Sequence, residues 1–148
     1  MFISIINLLN QSSIRIQKNQ ARYLNEILIL KVLKIFLNFG NFESSHFFQM
    51  YDEDLSFCLS NNFFKLKSYP KIQIKMIELS NILSSKRLIL DYMIKQELIL
   101  DFIRNMEYCN LDVLESTVKS IICFSKQKKL VNWIFNFDSY CFFFSKVK

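Results

Sequence analysis

This chain of 148 residues is long enough to form one domain with a continuous core, because half of its residues are hydrophobic. It contains a single Gly, Gly40, and a single Pro, Pro70, which argues against folds that need many tight turns or Gly-rich phosphate-binding loops. The formal net charge of +6 arises from dispersed Lys and Arg residues, as is typical of solvated helix surfaces.

Hydrophobic periodicity predicts helices along the whole chain. In chain order they cover residues 2–10, 23–39, 45–51, 55–64, 71–83, 86–95, 98–108, 111–125, 128–137 and 139–147. Residues 11–22 are polar and basic, and we interpret them as a linker or cap. Gly40 is placed to end the second helix, and Asp52–Asp54 to form an acidic corner between two short helices. Ser68 is a candidate N-cap, with Pro70 in the first turn that follows.

The four cysteines and the lone histidine do not have the spacing of a metal site. Cys58, Cys109, Cys123 and Cys141 form no C-x-x-C pair, and no cysteine is near His46 in sequence. We expect no metal and no cofactor. Three of the four cysteines are predicted to be small buried hydrophobes, which favours a reducing compartment, either cytoplasmic or nuclear.

The sequence also lacks the pattern of a catalytic site, which requires a nucleophile beside a base, paired carboxylates or a metal cluster. Asp52 and Asp54 do not continue into the oxygen-rich pattern of a calcium loop. Trp133 is predicted to lie in the core, or to anchor a partner if it is exposed. We therefore expect a protein that is not an enzyme and has no small-molecule substrate.

Membrane insertion is not expected either. The segment Met1–Ile6 is apolar but lacks the charged region and the cleavage site of a secretory signal. The most apolar stretch, residues 27–39, is interrupted by Lys31 and Lys34 and is shorter than the roughly 20 residues that span a bilayer. Contact with a membrane surface through the Phe-rich residues 140–144 is only weakly indicated.

Three helix-like segments end in a similar way, with a spacing of 43 residues from Asn38 to Asn81 and of 42 residues from Asn81 to Cys123. The three endings are Phe36–Phe39, Leu79–Ile82 and Ile122–Ser125. Self-similarity at this period predicts stacked helical repeats, in which each unit covers the apolar face of its neighbour. Such arrays usually bind other macromolecules.

The order of a short helix, a corner, a second helix and a longer third helix ending in Leu-x-Asn resembles an armadillo repeat. The residues that carry the resemblance are Leu37–Asn38 and Leu79–Ile82, and it covers residues 23–148. HEAT repeats share the same period. The resemblance implies an all-α fold, a right-handed α-solenoid of about three repeats in a single domain, with residues 1–22 as an N-terminal helix and polar linker.

In peptide-binding armadillo proteins, an Asn near the end of the third helix binds the backbone of an extended ligand, and a Trp one turn earlier packs its side chains. The Asn matches Asn38 and Asn81, whereas Lys34, Ile77 and Lys119 occupy the Trp positions. The resemblance therefore implies no groove for a basic targeting peptide, and the lysines suit an acidic segment better. Alternatively, both Asn side chains hydrogen-bond the helix end or the next repeat's loop.

The sequence thus predicts a non-enzymatic protein-interaction module or a small scaffold subunit of a larger complex. Binding is expected through the concave face of the third helices and through the apolar ends, unless the Phe-rich end is buried by the chain itself. The alternative is binding of RNA or the ribosome by the dispersed basic residues, which a steep salt dependence would indicate. The candidate contact residues, chosen by helical spacing, are Lys31, Lys34, Asn38, Gln73, Ile77, Asn81, Glu115 and Lys119.

Overall fold

The computed structural model describes residues 2–40, 46–84, 93–95, 98–106, 109–126 and 132. These residues form an all-α structure, as predicted, and none of them lies in a strand. The helices are α1 (Phe2–Gln17), α2 (Arg22–Gly40), α3 (His46–Phe63), α4 (Pro70–Ser84), α5 (Leu98–Asn105) and α6 (Leu111–Ser125), with a 3-10 turn at Phe64–Leu66.

The described helices are arranged in two rows. In one row α2 packs against α4 and α4 packs against α6, and in the other α1 packs against α3 and α3 against α5. The rows are joined where α1 contacts α2 and where α3 contacts α4. One continuous hydrophobic core links the helices, and its largest fully buried side chains include Phe36, Phe63, Phe102 and Phe124.

Four of the predicted helices are confirmed. The segments 23–39, 71–83 and 111–125 correspond to α2, α4 and α6 within one or two residues at each end. The predicted helix over residues 98–108 corresponds to α5, which ends at Asn105. α2 includes Gly40 as its last residue, in keeping with the predicted stop.

The predicted linker over residues 11–22 is wrong, because α1 continues to Gln17. Ser12, Ser13 and Ile16 are buried at helical spacing from Leu9, and the Ser13 hydroxyl donates a hydrogen bond to the Leu9 carbonyl at 2.9 Å. Small hydroxyl side chains can therefore extend the packed face of a helix although the sequence reads as polar.

The predicted acidic corner at Asp52–Asp54 is also wrong. α3 runs without a break from His46 to Phe63, so residues 46–84 contain two long helices where the resemblance implied three. Asp54 is exposed while Leu55 and Leu59 are fully buried, so the chain keeps its apolar face inward through this region. Carboxylates alone do not end a helix when no Gly or Pro follows them.

The start of α4 differs from the prediction by one position. α4 begins at Pro70, which therefore occupies the first turn as predicted. The residue before it is Tyr69, whose carbonyl accepts the hydrogen bond of the Gln73 amide at 3.1 Å. Ser68 is therefore not the N-cap residue.

A four-residue turn, Lys18–Ala21, connects α1 to α2. The amide of Gln20 bonds the carbonyl of Arg15 at 2.9 Å, and the amide of Asn19 bonds that of Ile16 at 3.1 Å. This pair of bonds is a Schellman motif, with Asn19 at φ 60° in the left-handed position that Gly usually occupies. Ala21 follows at φ 42°, where its Cβ is sterically disfavoured.

A small polar cluster joins α1 to α3. The Asn62 side-chain amide donates to the Asn10 side-chain oxygen at 2.7 Å and to the Cys58 carbonyl at 2.8 Å. The Cys58 thiol donates to the same Asn10 oxygen at 3.2 Å. Burial raises the pKa of this thiol to about 12, against a weaker opposing effect of the Asn62 hydrogen bond, so the thiol keeps its proton at neutral pH.

Several sequence predictions lie outside the described residues. They are the predicted helices over residues 128–137 and 139–147, the helix over residues 86–95 apart from residues 93–95, the side chain of His46, Cys141, Trp133 and the Phe-rich residues 140–144.

Replacing Ala21 by Gly is expected to stabilise the protein by about 1 kcal/mol, because Gly adopts positive φ without a steric penalty. Urea unfolding measures the change. Asn19→Gly is the matched control. It should gain less stability than Ala21→Gly, since Asn tolerates positive φ and the Asn19 side chain accepts a hydrogen bond from Arg22. A loss of stability in Ala21→Gly would contradict the assigned backbone conformation.

Replacing Asn10 by Ala is expected to destabilise the protein by about 1–3 kcal/mol, because the Asn62 amide and the Cys58 thiol lose a shared acceptor inside the α1–α3 contact. Asn61→Ala, on α3 beside Asn62, is the control, because Asn61 is exposed and bonds only Lys65 in the described structure. Equal effects of the two substitutions, measured by thermal unfolding, would refute a role for the cluster.

Candidate functional site

An open cleft of about 620 Å³ lies between the C-terminal halves of α2 and α4. It is lined by Lys34, Leu37, Asn38, Lys75, Glu78, Asn81 and Ile82. The cleft combines basic, acidic, amide and apolar side chains.

Helical spacing explains why these side chains face the cleft. On α4, Lys75, Glu78 and Ile82 follow each other at three and four residues, whereas Met76 and Leu79 between them are fully buried. α4 packs against α2, α3 and α6, so beyond its first turn this narrow stripe is a main accessible part of its surface.

Three of the eight predicted contact residues lie together in this cleft. They are Lys34, Asn38 and Asn81. Lys34 and Asn38 are exposed, and Asn81 is half-buried. The geometry therefore brings together the lysine and the two asparagines that the sequence placed on neighbouring third helices.

Three further predicted residues are exposed but do not line the cleft. Lys31 lies one turn before Lys34 on α2. Glu115 and Lys119 lie on α6 and pair with each other at 2.5 Å. This pairing, and the lysine charge beside it, lower the pKa of the Glu115 carboxyl.

The last two predicted contact residues, Gln73 and Ile77, must be corrected. Both are fully buried, so neither can touch a partner. The Gln73 side-chain amide instead donates to the Phe63 carbonyl at 3.3 Å, inside the protein. The repeat register placed these residues on the open side of the helix, but the accessible stripe of α4 runs one residue further along, through Glu78.

Positive side chains outnumber negative ones in the cleft lining. Lys75 and Glu78 form an ion pair at 2.7 Å, and both side chains are about 40% exposed, so the pair contributes at most about 1 kcal/mol. The ammonium group of Lys34 has no ion-pair partner among the described residues. The cleft lining therefore has a net positive charge.

Asn81 also has a structural role. Its side-chain amide donates to the Ser120 hydroxyl on α6 at 2.9 Å, and that hydroxyl donates to the Ser116 carbonyl at 2.9 Å. The Asn81 side-chain oxygen is buried and has no partner in the described structure. Asn81 thus joins α4 to α6. This structural role resembles the alternative given for the Asn side chains, but the partner is a side chain of the next helix and not a helix end or a loop.

Four lining residues were not predicted. Leu37, Lys75, Glu78 and Ile82 are absent from the sequence-based set. The Lys75–Glu78 spacing of three residues is a signal of a solvated helix face, and it could have located the open side of α4.

The cysteines are arranged differently from the prediction that three are buried. Cys58 is buried, Cys109 is half-buried and Cys123 is exposed. Burial raises the pKa of the Cys109 thiol, with a smaller opposing effect of a backbone hydrogen bond. Within the described part of the chain, no group of three or more His, Cys, Asp and Glu side chains could hold a metal ion.

Comparison of the chain with models of protein families, with curated proteins and with solved structures finds no match. Among the described helices, none combines the length and the apolar character that crossing a bilayer requires.

Proposed function

We propose that this chain is a non-enzymatic protein-interaction module, or a small scaffold subunit, whose cleft between α2 and α4 binds an extended acidic segment of a partner protein. The observation that carries the proposal is the cleft itself, where Lys34, Asn38 and Asn81 meet.

We further propose that the two rows of helices form a short right-handed α-solenoid. Consecutive contacts along each row support this arrangement, since every unit of a solenoid packs only on its neighbours. Asn38, Asn81 and Cys123 all lie within the last four residues of α2, α4 and α6, which is where the repeat register expects them. The two helices between residues 46 and 84 favour a two-helix unit of the HEAT kind over the three-helix armadillo unit.

The chemistry of the cleft favours an acidic ligand. Lys34 offers an ammonium group without an ion-pair partner in the described structure, and a ligand carboxylate there would gain a charge-assisted hydrogen bond. Lys75 can exchange the exposed Glu78 carboxylate for a ligand carboxylate at little cost. Asn38 can both donate to and accept from a peptide backbone, and Leu37 and Ile82 provide apolar contacts.

The alternative, a nucleic-acid surface, receives less support. On α4, α5 and α6, three basic side chains are partly neutralised by carboxylates on the same helix, which lowers the positive charge that these helices can offer to phosphates. The three ion pairs are Lys75–Glu78, Asp101–Arg104 and Glu115–Lys119.

Charge reversal in the cleft tests the proposal. A fluorescently labelled, unstructured peptide that alternates Asp with Leu is titrated with the purified chain, and anisotropy reports the dissociation constant. Lys34→Glu is expected to weaken binding about tenfold, because an attractive contact becomes repulsive.

Lys31→Glu is the matched control, since Lys31 is exposed on the same helix but lies outside the cleft lining. Lys31→Glu changes the net charge by the same amount as Lys34→Glu, but at a position outside the cleft. It should therefore weaken peptide binding less than about threefold. Equal weakening by both variants, or tighter binding of single-stranded RNA than of the peptide, would argue against the proposed site.

A further inference from the structure

The end of the α1–α2 hairpin projects an unusual combination of side chains. We define the tip as residues 14–24, which comprise the last turn of α1, the connecting turn and the first residues of α2. Its exposed members are close in sequence on both sides of a four-residue turn, so they lie near the same end of the hairpin.

Three large apolar side chains at the tip are exposed to solvent. Tyr23 is 78% exposed, Leu24 is 67% exposed and Ile14 is 50% exposed. Nothing in the described structure covers them, although the neighbouring Ile16 is buried in the core. A cluster of this kind is a common mark of an interaction surface.

The same tip is strongly basic. Arg15, Lys18 and Arg22 are all exposed, and none of them forms an ion pair with a described residue. Residues 11–25 contain no Asp or Glu, and the first carboxylate along the chain is Glu26 on α2. Three exposed cations therefore occur in the same eleven-residue segment as the exposed apolar side chains.

Hydrogen bonds fix the shape of the tip. The Schellman motif closes α1, and the buried Asn25 side chain donates to the carbonyls of Gln20 and Ala21 at 2.8 and 3.1 Å. The Arg22 guanidinium donates to the side-chain oxygen of Asn19. Because the backbone is held in place, little ordering entropy is lost when the tip binds a surface.

We propose that the tip docks on an anionic lipid bilayer, with Tyr23, Leu24 and Ile14 in the interfacial region and Arg15 and Lys18 against lipid phosphates. Aliphatic side chains gain free energy by entering the boundary between headgroups and acyl chains, and basic side chains are attracted to anionic lipids. An RNA surface would satisfy the cations but would leave Leu24 and Ile14 without an apolar environment. The contact is peripheral and independent of the cleft.

This assignment differs from the expectation from sequence, which gave a membrane role only to the Phe-rich residues 140–144. The relevant signal at the tip was hidden, because Arg22 was interpreted as the end of a polar linker, and Tyr23 and Leu24 as the start of an ordinary apolar helix. Only the structure shows that Tyr23 and Leu24 face solvent while Ile29 and Leu33 of the same helix are buried.

Cosedimentation of the full chain with vesicles tests the proposal. Vesicles of phosphatidylcholine with about 30% phosphatidylserine should bind the protein, and pure phosphatidylcholine vesicles should bind it at least tenfold more weakly. Arg15→Gln with Lys18→Gln should lower partitioning to the anionic vesicles by about fivefold per charge removed, while leaving the Arg22–Asn19 contact intact. The double variant Tyr23→Ser with Leu24→Ser should lower partitioning to the anionic vesicles about as much as the double charge variant does, because these side chains no longer bury apolar surface in the bilayer.

Two control variants separate the tip from general charge and hydrophobicity. Lys31→Gln removes an exposed cation elsewhere on α2, and Leu111→Ser removes a side chain that is as exposed as Tyr23 but lies on α6. Both should bind anionic vesicles within twofold of the unmodified chain. No binding to anionic vesicles, equal losses in tip and control variants, or tip variants that lower RNA binding instead would overturn the proposal.

Discussion

The packing of α4 against α2, α3 and α6 is the constraint on which the described structure depends. Small hydroxyl residues make this packing close. Ser80 on α4 and Thr117 and Ser120 on α6 are fully buried, and each hydroxyl donates to a carbonyl of its own helix. Because these groups are satisfied within their helices, they need no partner across the contact and leave room for the helices to approach. The Asn81–Ser120 bond then adds a direct link between them.

Both functional proposals follow from what this packing leaves accessible. α4 is covered on three sides, so its open stripe forms one wall of the cleft and α2 forms the other. At the far end of α2, the turn to α1 is closed by its own hydrogen bonds and by Asn25, and the side chains around it project outward. A cleft with a net positive charge suits an acidic peptide, whereas a basic tip with exposed apolar side chains suits a lipid surface.

Sequence reasoning predicted the all-α class and the long helices, because apolar periodicity and the Pro70 start signal are local properties. It failed where tertiary packing decided the outcome. Ser12 and Ser13 read as linker residues although they pack inside, and Asp52–Asp54 read as a corner although α3 continues through it. Of the predicted contact residues, Lys34, Asn38 and Asn81 line the cleft, whereas Gln73 and Ile77 are buried. The accessible side of α4 depends on three neighbouring helices that sequence spacing does not reveal.

Native-state hydrogen exchange tests the central position of α4 most directly. If α4 is held by three helices, the amide protons of Met76–Ser80 should exchange only through global unfolding and should have the largest protection free energy in the chain. Amides in the first turn of α1, which have no intrahelical hydrogen-bond acceptor, should exchange without global unfolding. Protection of Met76–Ser80 that falls below that of α1 or α6 would contradict the account, because α4 could then not hold the two rows together.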